Sequence, residues 1–450
     1  MSETPVRVEV RRLAALAWPV AATQVGNMLL GVVDTLMLGR FSVEALSAAA
    51  LANVWVWGTL HVAMGVVFGM DPIVAQAHGA RDGERVALAL QRGLVLALGL
   101  SVPLGLAWLL TEEFLRAMGQ DPALAAAAER FTRLQIPSVP FFLGFWALRQ
   151  YLQGREIVRP ALWVMVGANL VNLAGNWAFV YGHLGMPRLG LEGSAIATSL
   201  SRAACLVGLA ALVLRAGLHE GAWVPWSRRA LSPRGIAEIL ALGLPVGLQI
   251  SLEAWAFSGA ALLAGRIGTE ALAAHTIVLN MAALSFMMPL GIALAAVTRV
   301  GNLIGAQRLE EAQRAAWVAL GLGAAVMAAS ALVFLGFRFE LPRLYTTDAA
   351  VVALAATILP IAAAFQIFDG VQVVACGVLR GMGRTRPAAV FNAVSYWLLG
   401  IPLGWWLGLH AGWGLAGIWW GLCIGLAVVA SLLLGWIRHR GPAHAAVQLA

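Results

Sequence analysis

The chain has 450 residues, 60% of them hydrophobic and only 12% charged, with a mean hydropathy of +0.81. Soluble domains carry about a quarter charged residues, so these numbers exclude a water-surrounded globule and predict a multi-pass membrane protein. The net charge of +8 comes from arginine alone, since the sequence has no lysine. These arginines stand singly or in small groups between apolar runs, a pattern of topology signals and not of a nucleic-acid surface.

In chain order, Arg7, Arg11 and Arg12 precede an apolar run too long for a signal-peptide core, so the first span is expected to be permanent. Apolar runs between charged or Gly/Pro-rich breaks predict twelve spans, at 13–38, 46–70, 86–110, 124–152, 160–181, 190–215, 234–264, 271–300, 312–336, 349–379, 387–408 and 411–437. Loops on the side of the termini gather most of the arginines, among them Arg81, Arg85, Arg155, Arg228, Arg229 and Arg384. The opposite loops hold chiefly Arg40, Arg116, Arg188, Arg266, Arg338 and Arg343. The positive-inside rule then places both termini in the cytoplasm. Cys205, Cys376 and Cys423 lack metal or disulfide spacing and are read as packing residues. No His/Glu metal spacing, phosphate loop or Ser/His/Asp set stands out, so neither an enzyme nor a cofactor is expected.

The two halves repeat. "GRFSVEALSAA" (39–49) matches "GRIGTEALAAH" (265–275), and the same offset pairs Pro19 with Pro245, Gly65 with Gly291 and Glu84 with Glu310. "LQGREIVRP" (152–160) matches "LRGMGRTRP" (379–387), and "GLEG" (190–193) matches "GLAG" (414–417). Six spans per half is an even number, so both halves cross in the same direction. The fold expected is all-α and polytopic: twelve transmembrane helices in two six-helix lobes, related by a pseudo-twofold axis along the membrane normal. The lobes would be residues 1–216 and 234–450, joined by a cytoplasmic linker, 217–233.

The repeat preserves glycine, proline and loop residues but not the polar residues inside the spans. Asp34 pairs with Ala260, Glu253 with Asn27, Asp369 with Phe142, and Asn172 and Asn176 with Leu399 and Leu403. A scaffold requirement would recur in both halves; a task given to one lobe would not. Gln24, Asn27, Gly31 and Asp34 share one face of the first span. Gln249 and Glu253 are one turn apart on the seventh, Gln366 and Asp369 one turn apart on the tenth, and Asn169, Asn172 and Asn176 share a face of the fifth. Such residues face a cavity or a neighbouring helix and mark substrate or ion pathways. A carboxylate in low dielectric takes up a proton or a cation, and the resulting change of charge can bias the arrangement of the lobes. Asp71 is read as a helix-end residue facing the cytoplasm, and His61 and His275 as satisfied polar residues. Trp55, Trp57 and Trp255 lie inside spans, where they face either a cationic ligand or lipid.

The stretches "DTLMLGRFSVEALSAAALANVW", "AQAHGA", "LPVGLQISLEAWAFS", "TRVGNLIGA" and "CGVLRGMGRTRPAAVFNAVSYWLLGIPLG" cover both halves. Together they resemble the multidrug and toxic compound extrusion (MATE) transporters, closest to the NorM-like bacterial branch. The resemblance implies two lobes in a V-like arrangement that export small hydrophobic organic cations in exchange for Na+ or H+, acting as a monomer in the lipid bilayer. It places Glu253, Asp369 and Asp34 at the family's acidic positions, with Glu253 and Asp369 as candidate Na+ ligands. It places Asn172 and Asn176 at a polar pair whose second member is an aspartate in some relatives, and Phe365 where relatives can carry a tyrosine. Acids in both lobes favour Na+, with H+ the close alternative. The competing expectation is a lipid or lipid-linked oligosaccharide flippase of the same superfamily, which would line its cavity with basic residues.

Overall fold

Backbone polar groups cannot stay unpaired in hydrocarbon, so a chain this apolar closes its hydrogen bonds within helices. The computed structural model describes residues 6–445, and all regular structure among them is helical. The first half holds α1 (Val6–Phe41), α2 (Val43–Phe68) and its continuation α3 (Met70–Gly79), α4 (Gly83–Leu109), α5 (Thr111–Ala117), α6 (Pro122–Gln135), α7 (Val139–Gly154), α8 (Arg159–Tyr181) and α9 (Leu191–Arg215). The second holds α10 (Pro233–Ile267), α11 (Thr269–Gly305), α12 (Leu309–Gly336), α13 (Glu340–Arg343), α14 (Ala349–Gly381), α15 (Thr385–Ala393), α16 (Ile401–Trp405) and α17 (Gly414–Arg440).

Ten helical stretches among the described residues are long and apolar enough to cross a bilayer. The other two crossings are α8, whose apolar character three asparagines dilute, and the α6–α7 pair, broken by the 3-10 turn Ile136–Ser138 around Pro137. The protein is thus an all-α polytopic membrane protein with twelve crossings, six in each lobe.

The predicted spans differ from the helices mainly at their ends. α1 begins at Val6 and not near residue 13, so the arginines ahead of the predicted span lie on the helix itself, and its first turns are tied into the fold through Glu9. Glu9 accepts two hydrogen bonds from Arg299, at 2.7 and 3.0 Å, and both residues are buried. A partner 290 residues away is invisible to a local reading of hydropathy.

By compactness the chain forms two units, Ala22–Gly247 and Met1–Ala21 with Leu248–Ala450. The breaks fall just past Pro19 in α1 and Pro245 in α10, the prolines that the repeat pairs. Each of these helices therefore contributes to both units. The stretch 217–233 is tied into the first of the units. Arg155 donates to the carbonyls of Leu218 and Glu220, Tyr151 Oη to Ala222, and Gln91 Nε2 to Val224.

Small residues let helices cross closely in both units. In Ala22–Gly247, a Cβ at Gly65 of α2 would stand 2.1 Å from the Gly247 Cα of α10. In the other unit, a Cβ at Gly291 of α11 would stand 2.7 Å from the Ala17 carbonyl of α1. The repeat-related glycines thus do the same job. Gly65→Leu should cost upward of about 3 kcal/mol, because backbone faces backbone and nothing can rotate aside. The expected result is loss of monodisperse protein on size exclusion; a wild-type profile and melting temperature would refute this crossing.

Candidate functional site

The polar residues singled out in the sequence gather in two clusters, one in each compact unit. In Ala22–Gly247 the centre is Asp34 of α1, 9% exposed. Its Oδ1 accepts from Asn172 Nδ2 at 3.0 Å and Asn176 Nδ2 at 2.7 Å, and its Oδ2 from Thr198 Oγ1 at 2.6 Å. α8 supplies both amides from successive turns, and α9 the hydroxyl. Arg202, one turn beyond Thr198, lies within electrostatic reach of Asp34, donates to Ser138 Oγ and covers the Phe142 ring. A buried carboxylate so fully donated to is compensated where it stands. Asp34 lines a narrow cavity with Asn27, Asn53, Trp57, Thr198 and Arg202. Gln24, on the same face of α1, is half-buried and outside that lining, its Oε1 unpartnered among the described residues.

In the other unit Glu253 of α10 and Asp369 of α14 lie within electrostatic reach of one another. Asp369 is 5% exposed and Glu253 half-buried. Among the described residues, no basic side chain acts on either. Gln372 is within hydrogen-bonding reach of Glu253 and donates to Asn392 Oδ1 at 2.7 Å. Cys376 takes weak hydrogen bonds from Gln372 and Asn392, with Gln249 also in reach. Gln366 is fully buried one turn before Asp369, and neither atom of its amide has a partner among the described residues. The clusters differ in kind: one acid is balanced by donors and an arginine, whereas the other two lie within electrostatic reach of each other with no basic side chain among the described residues acting on either. Two facing carboxylates in low dielectric favour a proton or a cation between them.

Several neighbours of these acids give little or no signal in the sequence. Thr198 gives no signal, because a lone threonine inside a helix usually bonds its own backbone. Gln372 was legible, continuing the Gln366–Asp369 stripe by one more step of three. Cys376 is part of the polar cluster and not a packing residue alone. Asp71 does not face the cytoplasm: it is buried in the first turn of α3, within electrostatic reach of the buried Arg149. His275 is not satisfied, since neither ring nitrogen has a hydrogen-bond partner among the described residues and its ring packs near Trp419. Of the tryptophans, Trp57 faces the cavity, Trp55 stacks on Phe114 and donates to the Ala107 carbonyl, and Trp255 is exposed. Among the described residues no three His, Cys, Asp or Glu side chains cluster as they would around a transition metal.

Two copies of the MatE family model match this chain, at residues 19–178 and 245–406, one in each half of the internal repeat. The chain is 37% identical over 448 residues to a "probable multidrug resistance protein NorM" of Mesorhizobium japonicum, covering 96% of this chain and 94% of that protein. It is 38% identical over 442 residues to the "multidrug resistance protein NorM" of Burkholderia vietnamiensis, covering 96% and 93%. Its fold is similar to the crystal structure of the eukaryotic MATE transporter AtDTX14, with a TM-score of 0.89, 24% identity and 97% of each chain covered. The protein belongs to the MatE family. That is a family of membrane transporters and not of enzymes.

Proposed function

We propose that this protein is a cation-coupled multidrug antiporter that exports hydrophobic organic cations, in exchange for Na+ or H+, by alternating access between its lobes. The observation that carries the reading is the pairing of Glu253 with Asp369 in a buried setting without a basic counter-ion. Such a pair changes charge when an ion or proton binds, and that change is the differential free energy that a two-state transporter needs. The names of the relatives, at 37% and 38% identity, support drugs as the substrate class. The cavity lined by Asp34, Asn27 and Trp57 supplies a carboxylate and an aromatic face for a hydrophobic cation. In this reading Glu253 and Asp369 take the coupling ion. Asn172 and Asn176 orient Asp34, and Gln24, Gln249 and Gln366 complete the polar faces. The lobes are residues 1–216 and 234–450, joined through 217–233. The protein works as a monomer in the bacterial inner membrane, with both termini cytoplasmic. The flippase reading is not favoured, since among the described residues Arg202 is the one basic residue lining this cavity.

The test is ethidium efflux from liposomes holding the purified protein, with inward Na+ and H+ gradients imposed separately. Export is expected under one of the gradients, and Asp34→Asn is expected to lower it by at least about tenfold, since a charge-assisted partner is lost. No ethidium movement under either gradient would overturn the reading.

A further inference from the structure

An open groove runs between α1 and α12, within the unit of Met1–Ala21 with Leu248–Ala450, and the transport reading makes no use of it. Its α1 wall is Val6 and Val10, one turn apart on one face of the helix. Glu9 lies on an adjoining face and pairs with Arg299 of α11, which holds these turns in place yet leaves Val6 58% exposed.

The α12 wall changes character along its length. Glu310, Arg314, Trp317 and Gly321 follow at three- and four-residue steps and so share one face of the helix. The two charged residues stand in the first two turns of α12. Trp317 comes next, half exposed, a residue type that settles where hydrocarbon meets water. Beyond it the α12 lining is Val318, Gly321 and Leu322, with no polar side chain. The rise from Glu310 to Leu322, at about 1.5 Å per residue, is roughly 18 Å. Half of a hydrocarbon core is about 15 Å, so the groove is one leaflet deep.

The polar end offers both signs of charge. Arg308 is bound to Glu311, which leaves the exposed Glu310 as the acid of the groove. Arg314 stands one turn further on. Gln313, also in the lining, has its Oε1 taken by the N–H of Ala443 at 3.2 Å, so its amide meets the groove as a donor. An arginine beside an amide N–H suits a phosphate, and a carboxylate suits an ammonium group. Phosphate and ammonium joined above an acyl chain make a zwitterionic aminophospholipid. An anionic head group would leave Glu310 facing like charge, and a choline group has no N–H to donate to it. We propose that this groove binds a phospholipid of the phosphatidylethanolamine type. Its phosphate lies on Arg314 and Gln313, its ammonium on Glu310, and one acyl chain runs past Trp317 to Gly321. The proposal does not rest on the antiporter reading.

The test is lipid binding to delipidated full-length protein in detergent, read by native mass spectrometry and by melting temperature. Phosphatidylethanolamine, phosphatidylcholine and phosphatidylglycerol are added separately. Wild type should bind the first at least about tenfold more tightly than the others, and melt higher as it is added. Glu310→Gln should remove that preference by weakening phosphatidylethanolamine alone. Arg314→Gln should weaken all three, because all carry the phosphate. Gly321→Leu should block the acyl chain, since a Cβ there meets nothing within 4 Å and the side chain enters the groove without strain. Before lipid is added this variant should elute as wild type and melt no lower. Equal binding of the three lipids would overturn the site in favour of nonspecific bilayer contact, and so would a preference that survives either Glu310→Gln or Gly321→Leu. Protein that takes up no lipid and elutes as a dimer would overturn it too, with a second copy covering the groove.

Discussion

Asp369→Asn should abolish gradient-driven efflux from liposomes while leaving the protein folded. An asparagine keeps the shape and hydrogen-bonding capacity of the side chain but cannot carry the charge that attracts a cation. Two unit charges 4 Å apart at an effective dielectric of 20 attract by about 4 kcal/mol, equivalent to roughly a thousandfold in affinity. Loss of one acid of the pair should therefore lower efflux at working ion concentrations by at least about a hundredfold, and Glu253→Gln should do the same. Both variants should elute and melt like wild type, because removing one of two like charges relieves repulsion in the apo site. The check pairs initial efflux rates with melting temperatures. Efflux within about twofold of wild type in Asp369→Asn would remove this pair from the coupling machinery.

The second large effect concerns stability. Arg299→Met leaves Glu9 buried beside α11 without its partner, and breaking a buried ion pair in this way costs about 3–5 kcal/mol. The bidentate contact, at 2.7 and 3.0 Å, is what holds the first turns of α1 within the unit formed by Met1–Ala21 and Leu248–Ala450. A lowered melting temperature is expected for Arg299→Met. The double variant Glu9→Leu with Arg299→Met should recover most of the loss, since a matched apolar pair carries no desolvation penalty. A single variant as stable as wild type would show that the pair is not buried as described.

Much of the fold was legible because a bilayer makes hydropathy a direct readout of structure. All twelve crossings were found, and the repeat was visible in residues such as Pro19/Pro245 and Gly65/Gly291. What escaped was decided by partners distant in sequence. Glu9 lies ahead of the predicted first span, and only its pairing with Arg299 shows it inside the fold; Asp71 reads as a solvated helix end until Arg149 is found nearby. The compact units, which divide just past Pro19 and Pro245, were not legible either, because hydropathy says nothing of which neighbours a helix half will keep.

The site was legible through its acids and only partly through their neighbours. A carboxylate inside a span is costly, so Asp34, Glu253 and Asp369 stand out on composition alone. Asn172 and Asn176 followed from their common face, and both reach Asp34. Thr198, Asn392 and Tyr396 are residue types that spans tolerate without comment. Phe365 drew attention as the loss of a hydroxyl, yet a hydroxyl does stand within electrostatic reach of Asp369, supplied from the π-helical turn after α15. No reading of α14 alone could have found it.

An antiporter couples its two substrates in both directions, so exchange can be run backwards. Liposomes holding the purified protein, with Na+ and H+ equal on both sides, are given an ethidium gradient alone, and the movement of 22Na+ and of internal pH is followed. Ethidium flowing down its gradient should drive one of these ions uphill in the opposite direction, and in Asp369→Asn it should not. Ethidium flux with neither ion moving against it would rule out coupled exchange.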